Sequence, residues 1–527
     1  MNKFVRLGII GVLVLGITGG IVATAIINNR PDERPNESID ETLTNVTGDL
    51  QIRIWEGGYG VEWLENVAAG FQRKFPNVTL DISPSAERNV VLGEITSENP
   101  PYDLFFSESV LFDNIRLLEP LNDVYDYKWA NEEKSIAQKI EPAFVNAYDV
   151  AGTKYMVNAY SGAWGIVYNC DWIEDDEVPV TTEELKALCV TLKTNSITPF
   201  VFSGEAIAPY WSYAYYNWVA QYEGTEMFEL EQLGKIKDAS GNAVYDPSAA
   251  YPIGQLKALQ VCEDLLWQPN GFIAAQSTGY QFITAQKKFL DGEVAMMYNG
   301  SWMLNEMSDL YPDGKGDEIK MMQLPVISSI VEKCDSIKGE NGGTADAELS
   351  SLIHAIDAGE SALQGEGYNV SQEDYNTILD ARKAVYVTGE SATGVIPKAA
   401  KNKGLAKLFL QYMYSDEGIQ IHASSNNGAV LPVVGYDDIL DFDELNNFNA
   451  STYRIMLNSK KLFLNYKDAV LTPDCTATGY SIEKQFGSQN SNDRTRASKS
   501  YQDKKDLWSA NNAAKYWDAL RNKGLID

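Results

Sequence analysis

The sequence predicts an α/β fold whose sheet is at least partly parallel, and three stretches carry that expectation. From Leu50 the chain runs through an alternating LQIRIW strand, a Glu56-Gly57-Gly58-Tyr59-Gly60 loop and a helix with Leu64, Val67, Ala68, Phe71 and Phe75 on one face. Phe75-Pro76-Asn77 stops that helix, and Val78 to Ile82 makes a second strand, so the opening is a βαβ unit with parallel strands. The second stretch is Val294 to Trp302, reading VAMMYNGSW. Its apolar run breaks off at Asn299-Gly300 after a helix marked by Phe282, Ile283, Gln286, Phe289 and Leu290 and closed by Asp291-Gly292. An apolar run bounded by a turn fits a buried strand of an α/β sheet. The third is Tyr102 to Phe106, YDLFF, a short strand ending in the polar Ser107-Glu108-Ser109. Ligands of open α/β sheets sit beyond the carboxyl ends of strands, so Ser107-Glu108-Ser109 and the stretch from Asn299 to Trp302 occupy ligand-loop positions, with packing between elements in the core as the alternative reading of Trp302.

Composition narrows the partners. With 527 residues and 44% apolar content the chain is long enough for about three ordinary domains. Against 43 Lys and Arg stand 73 Asp and Glu, a formal charge of −30, so nucleic acid and anionic membrane surfaces are poor partners. Only His354 and His422 are present, without C-x-x-C or H-E-x-x-H spacing, and neither a metal site nor a His-dependent triad is expected. The glycines form no G-x-G-x-x-G or P-loop, and no cofactor is expected. The cysteines at 170, 189, 262, 334 and 475 are scattered and odd in number. They imply no disulfide framework, and Cys189 and Cys262 on apolar helical faces read as buried thiols.

The chain begins with Lys3 and Arg6 and an uncharged apolar run from Leu7 to Ile27. It reads as a signal peptide or an uncleaved membrane anchor: the run is long enough to span a bilayer, yet Ala23-Thr24-Ala25 is an acceptable cleavage site. The basic flank orients the rest of the chain outward, at the extracellular face of the cytoplasmic membrane, anchored or secreted. Residues 28–48 are polar, acidic and proline-bearing, and read as a disordered linker.

Further along, residues 152–169 contain two strand-like halves separated by Ser161-Gly162, a point where the chain can pass between lobes, with Trp164 close by. Thr181 and Glu184 make a capping box for a helix with Leu185, Leu188, Cys189 and Leu192 on one face. After the strand Pro199 to Phe202, seven aromatics crowd residues 210–222. Tyr215 and Trp218 with Val219 suit a core stripe, while Tyr210 and Trp211, directly after Pro209, are placed to face a ligand. Ile319 to Ile327 is another strand; residues 328–384 read as an insertion with two helical patterns. Leu405, Leu408, Phe409, Tyr412 and Met413 form a core stripe, and Trp508 and Trp517 are packing anchors in a polar helical tail.

Taken in order, LQIRIWEGGYGVEWLENVAAGFQRKFPNVTLDI, YDLFF, GAWGIVYN, LDGEVAMMYNGSW and AKLFLQYMYSDEGIQIHASSNNGAVLPV resemble the extracellular solute-binding proteins of carbohydrate ABC importers, the maltose-binding-like group, over about Leu50 to Val433. The resemblance implies a two-lobed type II periplasmic-binding-protein-like fold with a sugar cleft between lobes joined by a multi-crossing hinge. One lobe would comprise residues 49–160 plus 325–415, the other 162–322 plus 418–527, with crossings near Ser161, Gln323 and Ser415. It also implies ligand contacts from Glu56, Tyr59, Glu108, Ser109, Tyr210, Trp211, Asn299 and Trp302. A carbohydrate ligand, an oligosaccharide by expectation, ABC permease subunits as partners and a monomeric state follow from it. No cysteine precedes Cys170, so the lipid-anchoring cysteine usual in Gram-positive members is missing, and the 328–384 insertion is unusual.

The chemistry of sugars selects the same residues. A pyranose offers one apolar C–H face and a rim of hydroxyls, which call for flat aromatics and for carboxylates or amides. Trp164 joins the candidates on this ground. Two other functions use similar residues: a membrane-anchored carbohydrate sensor or adhesin, and, least favoured, a glycosidase with Glu56 and Glu108 as its carboxylate pair. The expectation is a binding protein and not an enzyme.

Overall fold

The computed structural model describes residues 45–527 apart from 109–110, 206–209, 340–342, 389–391, 426–427, 463, 465–466, 472–480 and 512. Leu7 to Ile27, Ser109, Pro209 and Cys475 thus lie outside the described residues. Among those described, no helix is long and apolar enough to cross a membrane.

The strands of the two main sheets, in chain order, are β1 (Gly48–Trp55), β2 (Val78–Ser85), β3 (Leu104–Glu108), β4 (Val157–Asn158), β5 (Gly162–Asn169), β6 (Thr198–Val201), β7 (Val294–Gly300), β8 (Ile319–Met322), β9 (Ala384–Thr388), β10 (Ala392–Val395) and β11 (Lys460–Leu462). The helices that matter below are α1 (Glu62–Lys74), α2 (Thr182–Thr194), α3 (Trp211–Glu223), α4 (Phe282–Leu290), α5 (Met303–Glu306), α6 (Ala345–Asp357), α7 (Gln372–Lys383), α8 (Lys403–Met413), α9 (Asp416–Ala423), α10 (Asn447–Asn458) and α11 (Ile482–Gly487).

The first sheet has the order β2-β1-β3-β10-β4. β1 lies parallel to both β2 and β3, with Ile52 opposite Leu104 and Ile54 opposite Phe106, as the βαβ reading requires. In β1 the period-two pattern buries Leu50, Ile52 and Ile54. Glu62 and Glu65 in the first turn of α1 and Arg73 and Lys74 in its last complement the helix dipole, while Trp63, Leu64, Val67 and Phe71 pack inward. The second sheet has the order β11-β9-β5-β7-β6, and β8 pairs with the far half of β5. β5 and β7 are buried along their whole length, which is why both read as continuous apolar runs rather than as alternation. The capping box expected before α2 is present: Thr181 accepts from the Glu184 N–H, and the Glu184 carboxylate accepts from the Thr181 N–H.

The chain passes from the first sheet to the second between Asn158 and Gly162, the point read at Ser161. It returns between Thr388 and Ala392, since β9 pairs with β5 and β10 with β3. The return expected near Gln323 does not occur there. Residues 325–388 stay with the second sheet: Val326 bridges to Thr181, the Trp218 indole N–H donates to the Pro325 carbonyl, and α7 packs on α3. The 328–384 insertion therefore covers the second sheet's helical layer instead of extending the first lobe. The passage expected near Ser415 also moves. Ser415 caps α9, which packs on α1 of the first lobe, and the chain reaches the second sheet only with α10, which lies on β8. The three segments meet at Ser161. Its N–H and carbonyl pair with Val430, and its hydroxyl donates to the Thr388 carbonyl at 2.6 Å.

Among the described residues, Cys189, Cys262 and Cys334 are buried in the core and in no disulfide. In the tail, Trp508 and Trp517 pack beside Tyr516 and Leu520.

Candidate functional site

The loops after β1 and β7 converge with the end of β3 where the two sheets meet. Gly57 and Gly58 let the chain turn sharply out of β1, and a Cβ on Gly58 would sit 2.4 Å from Cδ1 of Trp302, so only glycine admits the indole so close to this backbone. Tyr59, 2% exposed, reaches across: its hydroxyl lies 3.1 Å from the Ser301 hydroxyl and 3.3 Å from that of Thr388. A second bridge is the Asn305 side-chain amide donating to the Gly58 carbonyl at 2.7 Å. Burial pushes the Tyr59 phenol well above the usual range, so it stays a neutral hydrogen-bonding group.

Five aromatics form one connected cluster. Ring centroids are 4.6 Å apart for Tyr59 and Tyr160, 5.6 Å for Tyr59 and Trp302, 4.5 Å for Trp302 and Trp164, and 4.9 Å for Trp164 and Tyr210. Most of these pairs meet edge to face, the favoured geometry for aromatic quadrupoles. Trp164 projects from β5, and its indole N–H is buried without a hydrogen-bond partner among the described residues.

Two carboxylates border the cluster. Glu108, at the end of β3, accepts a hydrogen bond from the Tyr160 hydroxyl at 3.0 Å. Its pKa is raised chiefly by burial; the Tyr160 bond and the field of Arg88 oppose this, and the charge of Glu306 adds to it. Glu306, at the end of α5, accepts from the Gln286 amide at 2.6 Å, and burial raises its pKa as well. Both carboxylates act on Tyr210, whose phenol is held high by burial first and then by their charges.

Of the residues singled out from sequence, Tyr59, Glu108, Trp164, Tyr210 and Trp302 are brought together. Glu56 is exposed, and Ser109 lies outside the described residues. Two are placed elsewhere. Asn299 is fully buried within β7, where its side-chain oxygen accepts from the Gly300 N–H and its amide donates to the Met297 sulfur. Both ends of its amide are thus engaged within β7, at the end of the strand. Trp211 is also fully buried, its ring against Phe200, Trp218 and Tyr298, and its backbone N–H donates to Glu483 of α11. It opens the core stripe of α3 that continues through Tyr215 and Trp218, so its side chain points under the helix.

Sequence reasoning missed Tyr160, Ser301, Asn305, Glu306 and Thr388. Glu306 had a readable signal, since it stands four residues after Trp302 and an i,i+4 pair shares a helix face. Thr388 had none, because only the path of the chain past Ser161 brings it here. Among the described residues no group of three His, Cys, Asp or Glu side chains is arranged to hold a metal ion.

Two α/β sheets joined by several chain passages, with site loops at the seam, define a two-lobed binding-protein architecture. The family model of bacterial extracellular solute-binding proteins matches residues 57–420, and the chain belongs to that family. The family is one of binding proteins, not enzymes. Solved structures with the same fold include the maltose-bound MalE3 of T. maritima, 15% identical, with a TM-score of 0.56 over 88% of this chain and 99% of that one. The GacH receptor of Streptomyces glaucescens, solved unliganded and with acarbose, is 14% identical at a TM-score of 0.54, covering 88% of this chain and 98% of its own. The maltotriose-bound binding protein of Thermus thermophilus is 16% identical at a TM-score of 0.51, covering 87% and 99%. No curated protein matches the chain in sequence. The fold is thus the type II periplasmic-binding-protein fold expected from the sequence.

Proposed function

We propose that this protein is the extracellular sugar-capturing component of an ABC importer, closing its two lobes on a saccharide and handing it to permease subunits. The observation that carries the proposal is the cluster at the seam: Tyr59, Tyr160, Trp164, Tyr210 and Trp302 provide flat faces, and Glu108 and Glu306 provide acceptors at its border. Flat faces suit the C–H side of a pyranose, and carboxylates suit its hydroxyls. Ser161, Thr388 and Val430 form the pivot, since all three connecting segments are bonded there and small changes in their dihedrals reorient the lobes. Sugar binding by maltose-, acarbose- and maltotriose-bound relatives of the same fold supports the class of ligand. The N-terminal apolar run would hold the protein at the outer face of the membrane or export it, and the protein would act as a monomer.

The test is a thermal-shift screen of the protein against a panel of mono- and oligosaccharides. A ligand at a hundredfold excess over its dissociation constant stabilises by about 2.7 kcal/mol, which shows as a clear shift of Tm. No shift with any saccharide would overturn the sugar reading. Solution scattering of a responding pair should give a smaller radius of gyration with ligand, and an unchanged radius at saturation would overturn closure.

A further inference from the structure

Resting on the reading of the seam as a sugar site, we propose that Trp164 is its specificity-determining donor: the indole N–H, and not the ring face alone, binds the saccharide by donating to one of its oxygens. Trp164 stands on β5 opposite Gly300 of β7. Gly162, two residues earlier, shares its face of the sheet, because side chains alternate along a strand. The first lobe meets that face. A Cβ on Gly162 would collide with the hydroxyl of Tyr59, which reaches over from the loop after β1, and with that of Ser301. Trp164 therefore lies on the seam side of the second sheet, one step in from the point where Tyr59 crosses.

Four rings surround the indole, with centroids at 4.5 Å for Trp302, 4.5 Å for Tyr213, 4.9 Å for Tyr210 and 5.8 Å for Tyr298. They offer faces and edges. The residue is 5% exposed, and among the described residues nothing accepts a hydrogen bond from its N–H. A donor taken out of water without a partner costs free energy until an acceptor arrives. Other indoles of the chain are answered: Trp218 donates to the Pro325 carbonyl and Trp129 to the Gln411 carbonyl. Those of Trp63 and Trp211 are unpartnered among the described residues, but both rings are fully buried inside one lobe. Trp164 differs in touching Trp302, which packs on Tyr59 and Gly58 of the first lobe.

The supports of these rings differ. Trp164 is fixed in a strand buried along its whole length, whereas Trp302 and Tyr210 each stand at the head of a helix, α5 and α3, and Tyr210 is half-buried. Turning either ring opens an approach without moving a strand. A pyranose laid by its C–H face on Trp302 or Tyr210 carries ring and hydroxyl oxygens at its edge, and an oxygen entering between the two rings meets the Trp164 N–H. That contact sets specificity. A ligand with carbon or an ammonium at the same place leaves the donor unpaired and is refused.

The experiment is calorimetric titration of the full-length chain with maltose, maltotriose, raffinose and galactose, and with any further sugar that shifts Tm in the screen. Beside it runs the protein with 3-benzothienylalanine in place of Trp164, which keeps the fused ring and puts sulfur where the N–H was. For the sugar that binds the parent best, the replacement should weaken binding about tenfold or more, ~1.4 kcal/mol. Its sugar-free Tm should equal or exceed the parent's, because an unanswered donor has been removed. Trp164→Phe, which loses the N–H with part of the ring, should weaken the same sugar at least as much. Parent-like affinity in either variant overturns this inference and leaves sugar binding standing. A lowered sugar-free Tm in the benzothienyl protein also overturns it, since the N–H is then bonded before any sugar arrives. No binding of any sugar by the parent overturns both this inference and the sugar reading.

Discussion

Trp302 is the residue on which the site reading can be broken. It is 8% exposed, but its burial is shared between lobes: Trp164 and Tyr210 belong to the second, whereas Tyr59 and Gly58 belong to the first. A core tryptophan truncated to alanine costs ~3–5 kcal/mol of global stability. For Trp302 much of the packing is made only while the lobes are together, so that part of the loss falls on closure and leaves unfolding of the separate lobes nearly unchanged. Trp302→Ala is therefore expected to cost under ~2 kcal/mol in chemical denaturation, the smaller share of a full core deletion. Affinity should suffer more. A stacked aromatic at the centre of a site costs ~2 kcal/mol or more when removed, which is ~30-fold in dissociation constant. Titration with the best saccharide from the screen and urea denaturation of the same preparation give the two numbers. Near-native affinity together with a stability loss of ~3–5 kcal/mol would refute the argument and make Trp302 an ordinary core residue.

Three further outcomes rest on single contacts. Gly58→Ala puts a methyl 2.4 Å from the Trp302 ring, so the lobes should close less readily. Affinity is expected to fall about tenfold with little change in Tm, and an unchanged affinity would show that the loop yields. His422 is buried beside Trp63, and burial lowers its pKa to about 3. The unfolded chain takes up a proton below pH ~6.5 while the folded one does not, so this histidine's contribution to stability is lost as pH falls from there toward 3, by ~1.4 kcal/mol per pH unit. Denaturation at pH 7, 5 and 4 should show that slope reduced in His422→Gln; equal slopes in the two proteins would count against it. Glu483 is buried, accepts from the Trp211 N–H at 2.9 Å and has a pKa raised mainly by burial. An acid with a raised folded pKa destabilises above its unfolded value, so Glu483→Gln, which still accepts the bond, should match or exceed the parent's stability at pH 8 and lose that advantage near pH 4. Glu483→Ala should instead lose ~1–3 kcal/mol by orphaning the buried N–H. A Gln variant as damaged as the Ala variant would mean the charge itself is needed.

The contrast between Trp211 and Trp302 shows what the sequence could carry. Both follow a turn signal at the edge of an element, and both looked equally able to face a ligand. The difference was written in the residues after them. Trp211 starts a helix whose positions 214, 215 and 218 are apolar or aromatic and buried, so a tryptophan in register with that stripe belongs beneath the helix. Trp302 is followed at helical spacing by Glu306, and a face shared with a carboxylate is a face turned to the cleft. Asn299 is decided by its contacts, since its side-chain oxygen is taken up by the Gly300 N–H and its amide by the Met297 sulfur. The strands and the βαβ start were legible because periodicity is local. The chain passages were not: nothing near Gln323 distinguishes a strand that stays in its sheet from one that leaves it, and the decision rests on where Val326 and β9 find partners far away in sequence. Thr388 belongs to the site for that reason alone. The pairing of β9 with β5, which sets Thr388 opposite Gly162, brings it beside Ser161 and Tyr59, so a residue without a motif becomes one of the contacts at the meeting point of the chain segments.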